Sequence, residues 1–364
     1  MRPCDRPALP PIAAPSCGRT STNPVSIVAV IIEWELREDD PVLPAAADQS
    51  PRRRLRFGVV NESAPQPTTW LDFARRVEDT GVDVLLMRDH FTTGSFGAQL
   101  APWSALAAAA AATSRLHVGT MVLSNDYRHP ALLAHEAATL HAISGGRFEL
   151  GLGAGWYQPE YQAAGISFDA AGRRIDRLEE ALDILTRLFA GETVHHNGSA
   201  YELDGLNLDV VPNLVGRPPI AVGAGGPRML RLAARYADIV GLLPAPIRGH
   251  DDADDPDDRR PAAFDAKRDI VESAAGVRFA QLELSAFATF VLTDTRRSST
   301  EDLIASRRWH GLDAEAVWQM PTIFIGSADQ IREDLAERRE RFGLSYLVSS
   351  DNDLGTLAEI IAGL

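Results

Sequence analysis

Between Leu55 and Leu364 the chain repeats one unit: a short apolar run, a break rich in glycine or polar residues, then a longer segment of helical character. The runs have the length of buried strands, and the segments between them are long enough for crossover helices. Strands are expected at Arg56–Val60, Val82–Met87, Leu116–Leu123, Phe148–Leu152, Pro219–Gly223, Ala237–Leu243, Ala286–Thr293 and Ser345–Val348. Helices are expected at Thr69–Thr80, closed by Gly81, and at Ala101–Thr113, Pro130–Ile143 and Gly172–Ala190. Two more follow Gly223–Arg228, ending at Tyr236, and Gly326-Ser327, ending at Phe342. Thr193–Leu208 carries the turn and alternation signals of a small hairpin. Eight strands alternating with helices over roughly 310 residues predict an α/β fold, a (β/α)8 TIM barrel with insertions at the C-terminal ends of its strands. A doubly wound sheet with a second domain is the competing arrangement.

Composition narrows the function classes. The 364 residues are 45% apolar and 24% charged, which suits a soluble globular chain with a large core. A net charge of −14, with no Lys/Arg run able to form a stripe, argues against a nucleic-acid surface but not against anionic small ligands. Cys4 and Cys17 are the only cysteines, so a disulfide framework or cysteine metal site in the body is excluded. The apolar stretch Val25–Ile32 is too short to span a bilayer and follows a Pro-rich start; no membrane span or secretory signal is expected, and cytoplasmic is the default. Residues 1–54, rich in Pro, Ser and Asp, read as a disordered or loosely attached leader, within which Ser26–Trp34 could add a strand. Residues 55–364 read as a single domain. Pro246–Pro261, almost wholly Asp, Pro and Arg, reads as a solvated loop.

In a barrel, function sits at the C-terminal ends of the strands. Those ends carry Asn61-Glu62, Asp89-His90, Ser124-Asn125-Asp126, Gly153–Trp156, Gly223–Arg228, Leu243-Pro244 and Ser349-Ser350-Asp351. His90 and the acids fall on separate strands without ligand spacing, so no metal is expected. No G-x-S-x-G elbow is present either. One histidine, several amides, two glycine-rich breaks and aromatics suit a large planar, phosphate-bearing cofactor that supplies the chemistry.

Each signal has a plainer counterpart. Gly153-Ala154-Gly155 after a strand lets backbone approach a flat ligand, or it is only a tight turn. Gly223–Arg228 precedes a helix, whose free amides would stabilise an anion, or it is a simple strand-to-helix turn. His90 can move a proton near neutral pH with Asp89 orienting it, or it caps a loop carbonyl. Trp156 and Tyr157 line a pocket or pack as a hinge. Glu160 is a catalytic acid or, the commoner case, a helix N-terminal residue.

Together these stretches resemble the luciferase-like (bacterial-luciferase-type) flavin/deazaflavin oxidoreductases. The resemblance runs through Asp89-His90-Phe91, Leu116–Leu123 into Tyr127-Arg128-His129-Pro130, Ser144-Gly145-Gly146-Arg147, Gly151–Trp156, Gly225-Gly226-Pro227-Arg228, Ala233–Asp238 and Gly326–Ile331. It covers about Leu55–Leu364 and is closest to the actinobacterial F420-dependent oxidoreductases. It implies a strand-end cavity for coenzyme F420, with FMN as the alternative. It also implies a bulge at Met121-Val122, often with a cis peptide, behind the cofactor ring. Cofactor contacts are thereby expected from Met121, Val122, Gly153, Gly155, Trp156, Gly223, Gly225, Gly226, Pro227 and Arg228, and substrate contacts from Asn61, Asn125 and Tyr157. His90 and Asp89 match the family's histidine–acid pair.

Sugar-phosphate dehydrogenases of the family carry a glutamate where Trp156 stands and a tryptophan where Gly94 stands, so a sugar phosphate is a disfavoured substrate here. The resemblance implies hydride transfer between F420 and a small-molecule or modified-peptide substrate, in a homodimer. The alternatives are an FMN-dependent monooxygenase fed by a separate reductase, and a barrel that binds flavin without turnover.

Overall fold

The computed structural model describes residues 53–62, 67–93, 97–211, 215–244 and 255–364. The expected leader, apart from Arg53 and Arg54, lies outside the described residues, as do Gly94 and most of the acidic loop. The strands are β1 Arg56–Val60, β2 Val84–Met87, β3 His117–Thr120, β4 Leu123–Ser124, β5 Phe148–Gly153, β6 Val194–Asn197, β7 Glu202–Leu206, β8 Ile220–Ala224, β9 Ile239–Leu242, β10 Glu283–Phe287, β11 Thr289–Leu292, β12 Ile323–Gly326 and β13 Leu344–Ser350. The helices are α1 Trp70–Asp79, α2 Pro102–Ala112, α3 Pro130–Ile143, α4 Gln158–Ala164, α5 Ala171–Phe189, α6 Pro227–Tyr236, α7 Pro261–Ala275, α8 Arg296–Arg307, α9 Ala314–Trp318, α10 Ala328–Phe342 and α11 Leu354–Ile361.

Eight parallel strands close on themselves in the order β1-β2-β3-β5-β8-β9-β10-β13, with β13 paired back to β1. This is the (β/α)8 barrel, and the doubly wound alternative is excluded. The strands are buried on both faces, as parallel strands covered by helices must be. On α1 the apolar stripe is formed by Trp70, Phe73, Ala74 and Val77, at i, i+3, i+4 and i+7. Ser327 and Gln330 form a reciprocal capping box that starts α10. The hairpin β6–β7 is antiparallel and leans on α5.

The third strand carries the bulge and cis peptide expected at Met121-Val122, and the seventh differs from its sequence reading. The third is interrupted: β3 ends at Thr120, β4 resumes at Leu123, and the Met121-Val122 peptide between them is cis. Val122 fills the space left by missing side chains, since a Cβ on Gly153 would come 2.8 Å from its Cγ2 and one on Gly151 3.2 Å from its Cγ1. The seventh strand is two. Barrel strand β10 begins earlier, at Glu283, and β11 leaves the barrel to pair with β12. The apolar run continues through the split without Gly or Pro, so nothing in the sequence marked it. The extension carries its own small core of Trp309, Val317, Met320, Ile323 and Ile325.

At the strand N-terminal ends Arg56 pairs with the buried Glu149 and Glu283, and its guanidinium lies 4.5 Å from the Tyr346 ring centroid. No described helix is long and apolar enough to cross a membrane.

Candidate active site

β2 ends at Met87 and is followed by Arg88, Asp89 and His90. Asp89 accepts two hydrogen bonds from Arg128, at 2.6 and 3.0 Å, and one from the Ser124 amide at 3.2 Å. It therefore fastens the end of β2 to the turn after β4; the carboxylate that reaches the His90 ring is another one. Glu160 Oε2 lies 2.9 Å from His90 Nδ1.

Glu160 sits in the first turn of α4 and is buried. Its Oε1 accepts from the Phe91 amide (2.9 Å), the Thr92 amide (3.0 Å) and the Thr92 hydroxyl (2.9 Å). The Tyr127 hydroxyl donates to Oε2 at 3.4 Å. Burial alone would raise this carboxyl, but the bonds from His90 and Thr92 override it and hold the group below its ordinary range. The His90 ring meets Trp156 and Tyr157 edge-on, with centroids 6.1 and 5.8 Å away. Trp156 is 50% and Phe91 53% exposed, so apolar surface rims the histidine.

The break after β5 is built around Gly155, whose φ is +77°. A Cβ there would lie 1.8 Å from the Tyr161 hydroxyl oxygen. That hydroxyl is bound to Ser124 Oγ at 2.7 Å and donates to Asp126 at 3.1 Å, while Arg177 donates to Asp126 at 2.7 Å. Burial, chiefly, pushes the Tyr161 phenol up to about 12. Asn125 is buried; its Nδ2 donates to the Tyr201 hydroxyl at 3.1 Å and its Oδ1 has no hydrogen-bond partner.

After β8, Gly226 caps α6 without a side-chain bond and Pro227 opens the helix. A Cβ on Gly225 would press on Leu243 O at 3.2 Å and one on Gly223 on Leu243 Cδ1 at 3.2 Å, whereas one on Gly226 would meet nothing within 4 Å. Arg228 is turned toward α5, donating to Gly172 O at 3.2 Å and pairing with Asp176. Asn61 is held by Asp351 at 2.7 Å, on the β1–β13 side of the strand ends.

The structure thus brings His90, Trp156 and Tyr157 together, sets Val122, Gly153 and Gly223 against one another, and leaves Asn61 and Arg228 in contacts of their own. Glu160, weighed in the sequence mainly as a helix-start residue, is both that and the partner of His90. Tyr127 and Arg128 entered only through the resemblance, and neither they nor Tyr161 and Tyr201 were expected as site residues. Two clefts lie away from this cluster. One, of about 300 Å³, runs past Ala142, Leu188 and Phe189; the other, of about 280 Å³, lies by Asp83, Arg115 and His117 at the strand N-terminal ends. The strand-end cluster instead lies where a (β/α)8 barrel carries its active site, at the C-terminal ends of the strands.

The sequence profile described as luciferase-like monooxygenase matches residues 55–345. An F420-dependent glucose-6-phosphate dehydrogenase of Microbacterium testaceum is 35% identical over 190 residues, 50% of this chain and 55% of that protein. An F420-dependent hydroxymycolic acid dehydrogenase of Mycobacterium tuberculosis is 36% identical over 168 residues, 45% of this chain and 46% of that one. The chain spans about half the length of the curated relatives it matches. Among solved structures, an F420-dependent secondary alcohol dehydrogenase in complex with an F420–acetone adduct superposes with a TM-score of 0.65 at 18% identity, covering 85% of this chain and 98% of that one. By its fold and its match over residues 55–345, this chain belongs to the luciferase-like monooxygenase family.

Proposed function

We propose that the chain is a coenzyme F420-dependent oxidoreductase that moves a hydride between the deazaflavin and an organic substrate, reducing an activated C=C or C=N bond or running the reverse. The observation that carries the reading is the strand-end histidine, His90, backed by a buried carboxylate and rimmed by exposed aromatic surface. The F420 dependence in the names of the two relatives supports the deazaflavin over FMN.

The residues present fit such a cofactor. Asn125 Oδ1 is a buried acceptor without a partner, suited to a ligand N–H or O–H. Gly226 opens the start of α6 to close approach, suited to a phosphate. Met121, Val122, Gly153, Gly155, Trp156, Gly223, Gly225, Gly226 and Pro227 would hold it, with Arg228 at the edge. When bound, F420 supplies or accepts the hydride and activates oxygen poorly. His90 gives or takes the accompanying proton. Asp89 acts at one remove, holding Arg128 and the turn that carries Asn125. Phe91, Trp156 and Tyr157 exclude water and favour a substrate less polar than a sugar phosphate, whether a small molecule or a modified peptide, with Asn61 placed for a further contact. A cytoplasmic homodimer belongs to the same reading.

Fluorescence titration with oxidised F420 and with FMN tests it. Tight F420 binding with weak FMN binding is expected. The reverse preference would favour a monooxygenase with a separate reductase, and binding of neither would overturn the cofactor assignment.

A further inference from the structure

The acid on the His90 ring comes from α4 and not from the neighbouring residue. Glu160 meets five groups. Its Oε1 takes three donors from Phe91 and Thr92, and its Oε2 faces His90 Nδ1 and the Tyr127 hydroxyl. A carboxylate so surrounded is acceptor-only, so the ring atom 2.9 Å away must be the donor. The edges of Trp156 and Tyr157, at 87° and 90° to the imidazole plane, keep the ring from turning.

We propose that Glu160 is the positioning residue of the site, fixing His90 in the Nδ1–H form and leaving Nε2 as the atom through which the proton passes. The role assigned to Nε2 rests on the reading of His90 as the group that moves the proton in hydride exchange. Placement of Glu160 serves both ends of the arrangement. The oxygen that orders residues 91–92 is separate from the one that faces the ring, so the two tasks can be disconnected by changing one atom. The other ionisable groups around the pair have their own partners: Asp89 binds Arg128, and Tyr161 binds Ser124 and Asp126.

Glu160→Gln makes that change. Its carbonyl oxygen still accepts from Phe91 and Thr92, but its amide nitrogen now donates toward Nδ1 and drives the ring to the Nε2–H form. Imidazole ¹⁵N NMR of the cofactor-free protein reads this directly. The expected result is an Nδ1–H His90 in the wild type and Nε2–H in E160Q, at an unchanged circular dichroism spectrum and melting temperature within a few degrees. In the F420-loaded enzyme kcat is expected to fall at least ~10-fold, with KM within about threefold, as for other wrong-tautomer substitutions. An Nε2–H ring in the wild type, an unaltered tautomer in E160Q, or unaltered turnover after the tautomer has switched would each overturn the proposal. The NMR result does not depend on the enzymatic reading: full turnover by His90→Ala would remove His90 from the reaction while leaving the tautomer measurement as it stands.

Discussion

His90 Nδ1 and Glu160 Oε2 lie 2.9 Å apart across 70 residues of chain. The barrel makes the contact possible, because β3 stands between β2 and β5 and the first turn of α4 reaches over it. The consequence is that one buried carboxylate orders both the ring and the backbone of Phe91 and Thr92.

Removing the imidazole should separate binding from chemistry. His90→Ala is expected to lower F420-dependent turnover by ~10²–10⁴-fold, the range of general acid–base assistance. The cofactor Kd should change by no more than a few-fold, because the glycine openings and Asn125 belong to other strands. Steady-state kinetics and fluorescence titration on the same preparation check this; equal losses in both would mean that the residue builds the site instead of working in it.

Gly155 is expected to be irreplaceable for two independent reasons. Its φ of +77° disfavours any side chain, and a Cβ would lie 1.8 Å from the Tyr161 hydroxyl oxygen. Gly155→Ala should cost about 2–4 kcal/mol in urea denaturation, from the backbone and the displaced phenol together. Adding Tyr161→Phe removes the shortest overlap but neither the backbone cost nor the contact with Ser124 Oγ at 2.7 Å, so the double variant should recover only part. Complete recovery would show that the positive φ costs nothing here.

The barrel was legible in the sequence because each of its parts has a local cause. The apolar runs have strand length, and Pro130 and Gly81 mark a helix start and a helix end where they stand. The split between β10 and β11 had no such mark, since pairing partner and not composition decides where one strand stops. The site was half legible for a related reason. His90 and the glycines are conspicuous at strand ends, but the partner of a histidine is set by the fold. Asp89 adjoins His90 in the chain, but adjacency in a segment beyond the end of β2 does not say which way its carboxylate turns. The neighbour serves Arg128, and a residue seventy positions on serves the ring.

The hairpin β6–β7 should come loose from α5 in acid. Glu180 on α5 accepts from the Ser199 amide and hydroxyl at 3.0 and 2.6 Å and from the Ala200 amide at 3.0 Å, with His196 at 3.4 Å. Burial opposes these bonds but they prevail, and the carboxyl is lowered from 4.5 to about 2. A lowered value in the folded state means stability that is present above pH 4.5 and lost as pH falls toward 2. The protection factors of the Ser199 and Ala200 amides, exchange rates corrected for the intrinsic effect of pH, should fall through that window in the wild type. In Glu180→Gln the protection should be lower at neutral pH and flat across the window; a variant whose protection still titrates there would assign the effect to another group.

Arg56 offers the converse case at the other end of the barrel. Glu149 and Glu283 are 3% and 5% exposed, and the guanidinium between them is their shared cation. Burial raises the Glu283 carboxyl, with Arg56 opposing; Glu149 is held low because His117 and Arg56 outweigh its burial. Arg56→Met keeps much of the apolar stem over Tyr346 but leaves two buried carboxyls without that charge, a loss of about 3–5 kcal/mol at neutral pH. Glu283 then lies further above its unfolded value, while Glu149 keeps its bond with His117. A group raised in this way adds stability below the unfolded value and loses it as pH rises through the folded one. The gap between variant and wild type should accordingly be widest near neutrality and narrow toward pH 4.5, where protonation removes the Glu283 charge that Arg56 had balanced. Urea denaturation at the two pH values decides it: an equal gap at both would mean that Arg56 contributes by packing on Tyr346 and not by charge.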